Sequence, residues 1–118
     1  MSTLSNVPLV SPTDTAIPNH RWEGHMSNGV GATYGSTPMA FLSATSSELV
    51  LTGPLGAFHL PRASVVKLGR GRMYPWFFAG LRIHHRDPKF PEELQFKPLG
   101  VQRREIFAQL RALGFSVA

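Results

Sequence analysis

The densest grouping of chemically capable side chains is the run GRGRMYPWFF, from Gly69 to Phe78. Arg70 and Arg72 carry planar guanidinium forks that match carboxylate and phosphate oxygens. Met73, Tyr74, Trp76, Phe77 and Phe78 supply apolar contact area beside them. That mixture fits a surface for a protein partner or a second copy of the chain, and also shallow membrane or phosphate contact. It equally fits a hairpin whose Trp76 and Phe78 anchor the core while the arginines solvate the tip. Arg70, Arg72, Met73, Tyr74 and Trp76 are therefore the interface candidates. A second group is basic: Arg82 and His84 alternate along one strand, and Arg62 and Arg86 can extend the patch into a surface for nucleic acid or anionic lipid.

Other chemistries lack their residues. The chain has no cysteine, which removes disulfides, thiolate nucleophiles and cysteine-ligated metal sites. His84 and His85 are adjacent, so a regular strand sends them to opposite faces, and His20 and His25 are likewise opposed. No HExxH spacing occurs, and a zinc site would have to be assembled from His59, His84 and a distant carboxylate. No serine lies in a GxSxG elbow, and GRG at 69–71 lacks the lysine and helix of a phosphate loop. Glu92 and Glu93 read as solvated carboxylates. No catalytic, cofactor or metal residues are assigned, and the expectation is a protein that is not an enzyme and carries no cofactor.

The elements that must position these groups are mostly strands. Pro8, Pro12 and Pro18 fall among Ser and Thr in residues 1–19, which read as a flexible or extended arm before a domain over 20–118. HRWEGHMSN gives a first strand with Trp22, Gly24 and Met26 on one face and Arg21, Glu23 and His25 on the other. Residues 39–44, 49–51 and 55–60 follow as three strands with tight connections at Ser46–Ser47 and Gly53–Pro54. SVVKLG, from Ser64 to Gly69, gives a fifth, and GRGRMYP a loop. WFFAGLRIHH gives a sixth in which Gly80 marks a bulge or bend. RDPKFPEE is a loop and ELQFKP a seventh strand. In VQRREIFAQLRALGF the period changes: Ile106, Phe107, Leu110 and Leu113 form a helical stripe closed by Gly114. Arg103, Arg104 and Arg111 lie off that stripe, where they either carry the positive excess or simply face solvent.

Seven strands and one terminal helix, without strand–helix alternation, predict a mainly β domain: a strongly bent antiparallel sheet closed by one C-terminal helix. An OB or SH3-like barrel would leave two strands unused. The 118 residues fit a single domain, and the net charge of +5 makes acidic partners easier to approach. The N-terminus has neither the basic nor the apolar region of a signal peptide, and no apolar run spans a bilayer, so a cytoplasmic protein is expected.

The stretches FLSATSSELVLTG, FHLPRASVVKL, AGLRIHH, LQFKP and ALGF resemble small bacterial PH-like or GRAM-like domains over residues 36–115. The resemblance implies a PH-like binding or scaffold module whose partner is a phosphoinositide, a peptide or another protein. Lipid-binding members carry a basic cluster between their first two strands. Here that loop, Ser27 to Thr37, has no lysine or arginine, which argues against phosphoinositide binding at that place. Protein contact or self-association is the leading expectation, with nucleic acid or anionic lipid as the alternative.

Overall fold

The computed structural model describes residues 20–71 and 80–117. They form seven strands, β1 (His20–Ser27), β2 (Ala40–Ala44), β3 (Glu48–Gly53), β4 (Gly56–Pro61), β5 (Val65–Arg70), β6 (Leu81–His85) and β7 (Leu94–Pro98), followed by one helix, α1 (Arg103–Ala112). All strand pairings are antiparallel, in the order β4-β3-β2-β1-β7-β6-β5. The expected fold class, a bent antiparallel sheet closed by a C-terminal helix, is the one observed. The arm expected over 1–19 lies outside the described residues, as does the 72–79 part of the aromatic run.

The bend has a local cause. The first half of β1 pairs with β2, from His20 opposite Ala44 to Gly24 opposite Ala40. The second half pairs with β7, from Gly24 opposite Pro98 to Ser27 opposite Gln95. Gly24 is the pivot shared by both ladders, and a Cβ there would strike the Lys97 carbonyl oxygen. The glycine that weakens the strand by propensity is thus the residue that lets β7 approach.

Alternation then sorts the side chains. Trp22, Met26, Leu42, Leu51, Phe58, Leu60, Leu68, Leu81, Ile83, Leu94 and Phe96 point into one continuous core. Ile106, Phe107 and Leu110 of α1 cover one opening of the curled sheet. At another, Phe90 from the β6–β7 connection meets Phe58 of β4 edge-to-face, with ring centres 5.4 Å apart.

The helix ends as its sequence requires. Gly114 takes a φ of 101°, its N–H donates to the Arg111 carbonyl, and the Phe115 N–H donates to the Leu110 carbonyl. This is a Schellman motif, with Phe115 and Leu110 both buried as its apolar contact. The turn redirects the chain along β5, where the Leu68 N–H donates to the Ser116 carbonyl at 2.8 Å and Val117 bridges Leu68 in parallel. Part of the β5 edge is therefore occupied by the chain's own tail.

Some boundaries differ from the sequence reading. Ser64 belongs to a 3-10 turn, Arg62–Ser64, instead of the fifth strand, and β5 runs one residue further than expected, to Arg70. Gly80 precedes β6 at a bend. The pairing irregularity in this half of the sheet lies instead between Val65 and Lys67 of β5.

Candidate functional site

The end of β5 and the first turn of α1 face each other across a cleft of about 730 Å³ lined by Arg70, Gln102, Arg103, Arg104 and Phe107. Arg70 reaches it as the last residue of β5. The other four are consecutive or nearly so at the helix start, where Gln102 is the N-cap residue in extended conformation and makes no capping bond with its side chain. Phe107, buried in the core, supplies the apolar wall.

One backbone oxygen joins the two elements. The Gly80 carbonyl accepts the Gly71 N–H at 2.9 Å and an Arg103 Nη1–H at 2.8 Å. That fixes α1 against the base of β5 and β6 and holds the Arg103 guanidinium on the cleft wall. Burial, followed by the nearby Arg70 charge, pulls the Arg103 guanidinium below its usual range. Two like charges are thus brought close by the fold itself. No aspartate or glutamate is among the described lining residues, although Glu105 lies in the same helical turn. Guanidinium forks beside an aromatic wall can bind a carboxylate or phosphate group and pack against the chain that bears it.

Of the expected interface residues, Arg70 is on this cleft, while Arg72, Met73, Tyr74 and Trp76 lie outside the described residues. The expected basic surface is distributed. Arg82 and His84 share the outer face of β6, and Arg82 Nη2 pairs with Glu93 Oε1 at 3.1 Å. Arg82 Nε is buried without a hydrogen-bond partner. His84 is pushed below the usual histidine range by burial first, then by Arg82 and Lys67, with Glu93 pulling the other way. Arg86 is exposed just beyond β6, and the Arg86 N–H donates to the Ser64 carbonyl. Arg62 is at the opposite end of α1, where its Nη1–H donates to the Gly114 carbonyl at 3.3 Å.

The histidines with resolved contacts serve structure. His25 is buried on the outer face of β1. Its Nε2–H donates to the Gly35 carbonyl at 2.8 Å, and its Nδ1 lies 2.8 Å from the Thr33 hydroxyl, which also accepts the Met26 N–H. These bonds fold the β1–β2 connection back onto its strand. His85 donates through Nε2 to the Pro91 carbonyl and accepts the Asp87 N–H at Nδ1, closing the β6–β7 connection. His20 stacks on Trp22. Among the described residues no three histidine, cysteine or acidic side chains gather as a metal site.

No protein-family model and no curated protein matches the chain. Among solved structures it is similar to the C-terminal domain of an unknown protein from Leishmania infantum, at 11% identity and a TM-score of 0.59, covering 82% of this chain and 83% of that one. The likeness is one of fold. Gln102, Arg103, Arg104 and Phe107 became a site only when the fold set them opposite Arg70. The sequence signal for them was the pair of arginines off the helical stripe.

Proposed function

We propose that this domain is a non-enzymatic PH-like binding or scaffold module that acts through protein contact, receiving an acidic segment of a partner in the β5–α1 cleft. The observation that supports this is the convergence of Arg70, Arg103 and Arg104 on one concave surface. A second copy of the chain, itself at +5, is an electrostatically poor occupant. Among the described residues no helix is long and apolar enough to cross a membrane. Among the described residues the large exposed apolar side chains are Val30, Tyr34 and Met39 on the β1–β2 connection and Val66 on β5, and none of the four lines the cleft.

The test is a titration with a glutamate-rich peptide, followed by anisotropy at low and high salt and repeated with the paired Arg70→Gln and Arg104→Gln variant. Binding that weakens with salt and is lost in the variant supports the reading. Tighter, cleft-dependent binding to a single-stranded oligonucleotide would replace it with the nucleic-acid alternative. A dimer by light scattering that dissociates in the variant would replace it with self-association.

A further inference from the structure

The β1–β2 connection opens on Asn28–Gly29, the one place in the sequence where a glycine follows an asparagine. We infer that Asn28 is a site of covalent modification in the folded protein: its side-chain amide is lost through attack by the Gly29 backbone nitrogen, and the residue becomes aspartate or isoaspartate. In the first step a bond forms between the Gly29 nitrogen and Asn28 Cγ, the bond from Cγ to Nδ2 breaks, and ammonia leaves with the Gly29 amide proton. In the second, water opens the resulting succinimide at either carbonyl. Opening at Cγ restores the main chain and gives aspartate; opening at the main-chain carbonyl gives isoaspartate. Water is the only co-reactant.

Three observations place the reacting groups. Asn28 Oδ1 accepts the Val30 N–H at 3.0 Å and the Gly31 N–H at 2.8 Å. Both partners are backbone donors, so it is the oxygen of the amide that faces them, and they polarise Cγ and meet the oxygen on which negative charge develops during attack. The nucleophile is exposed and carries no side chain to shield it, whereas Asn6 and Asn19 are followed by valine and histidine. The Gly29 N–H donates to Ser27 Oγ at 3.2 Å, so the proton that must leave already points at an acceptor. The fold also keeps the labile pair in place. Gly29 has a φ of 88°, and a Cβ there would strike Glu93 Cβ, so glycine is the residue that fits. Asn28 supplies the side-chain bonds that shape the turn. The two residues that build this turn are the two whose chemistry alters it.

The two products differ in what they do to the connection. Aspartate keeps an oxygen for the Val30 and Gly31 N–H groups and gives Ser27 to Thr37, a stretch without aspartate, glutamate, lysine or arginine, its first charge. Isoaspartate adds a methylene to the main chain inside two closing bonds, from the Asn28 N–H to the Gly31 carbonyl at 3.1 Å and from the Thr33 N–H to the Met26 carbonyl at 3.0 Å. Thr33 in turn holds His25 through its hydroxyl, so isoaspartate loosens the fold-back of this connection onto β1.

The test incubates the full chain at mildly alkaline pH, with a parallel sample unfolded in urea, and follows each asparagine by peptide mapping in a mass spectrometer and by enzymatic methyl labelling of isoaspartate. In the folded chain Asn28 should lose its amide and yield both products while Asn6 and Asn19 keep theirs. Asn28→Ser, which retains an oxygen acceptor but has no amide, should abolish the change, with backbone spectra establishing that the fold is kept. Hydrogen exchange should show the Thr33 N–H losing protection in the isoaspartyl fraction and keeping it in Asn28→Asp. Retention of the Asn28 amide in the folded chain, whether or not urea releases it, would overturn the inference, and so would equal loss at all three asparagines. Full protection of the Thr33 N–H in the isoaspartyl fraction would overturn its effect on the connection.

Discussion

Arginines stand on the outer face of β6 and in the cleft between β5 and α1, and the two settings treat the same side chain differently. On β6 the Arg82 guanidinium is mostly buried and has its counter-ion in Glu93, 3.1 Å away across the start of β7. In the cleft, three arginines line one wall together, and one of them is held by a backbone carbonyl. A charge neutralised inside the fold contributes to structure, whereas like charges gathered on a concave surface favour an incoming anion. A count of basic residues along the chain cannot make that distinction, because it depends on which carboxylate the fold delivers to which cation.

The contrast can be broken most forcefully in the cleft. The paired charge reversal Arg70→Glu and Arg104→Glu should weaken binding of a glutamate-rich peptide by at least roughly 100-fold by anisotropy, with the thermal midpoint nearly unchanged. A similar loss from Arg82→Glu, with the cleft intact, would move the site to β6.

On the other side of the comparison, Glu93→Gln should lower folding stability by about 1 kcal/mol in urea denaturation, the scale of a partly exposed pair, and leave peptide affinity alone. The half-exposure of Glu93 limits the effect, while the near-burial of Arg82 keeps it measurable.

His84 gives a finer probe of the β6 face. Its folded-state pKa lies below the ordinary value of 6.5, chiefly through burial and then through Arg82 and Lys67. The unfolded chain therefore takes up this proton first as the pH falls. The stability that neutral His84 contributes is full above pH 6.5 and declines as the pH drops from there towards the lower folded value. Denaturation from pH 7.5 to 5 should show this slope reduced in His84→Gln. The smallest expected effect is that of Lys67→Gln, which removes one of the weaker repulsions and should raise the His84 titration midpoint slightly by NMR.

The strand plan was legible because its signals are local. Alternation at Ala40, Leu42 and Ala44, the turn at Ser46–Ser47 and the stripe of Ile106, Phe107 and Leu110 are each set by neighbouring residues, and the structure uses them as written. Gly24 was legible only as a weakness, since its purpose depends on Lys97, far along the chain. His25 reads as solvent-facing by alternation, yet Thr33 and Gly35 return to bury it. The cleft has the same origin: Arg70 and Arg103 are remote in sequence, and the Gly80 carbonyl that fixes Arg103 carries no side-chain signature. Glu93 likewise read as a solvated carboxylate until β7 placed it beside Arg82. Long-range pairing accounts for each of these differences.

The most direct measurement is the order in which arginine Nε–Hε resonances respond to a glutamate-rich peptide. A cleft that receives an anionic partner predicts that Arg70, Arg103 and Arg104 shift together at the lowest peptide concentrations while Arg82, paired with Glu93, stays in place. Shifts that begin at Arg82 and Arg86, or that spread evenly over all basic residues, would contradict a localised site between β5 and α1.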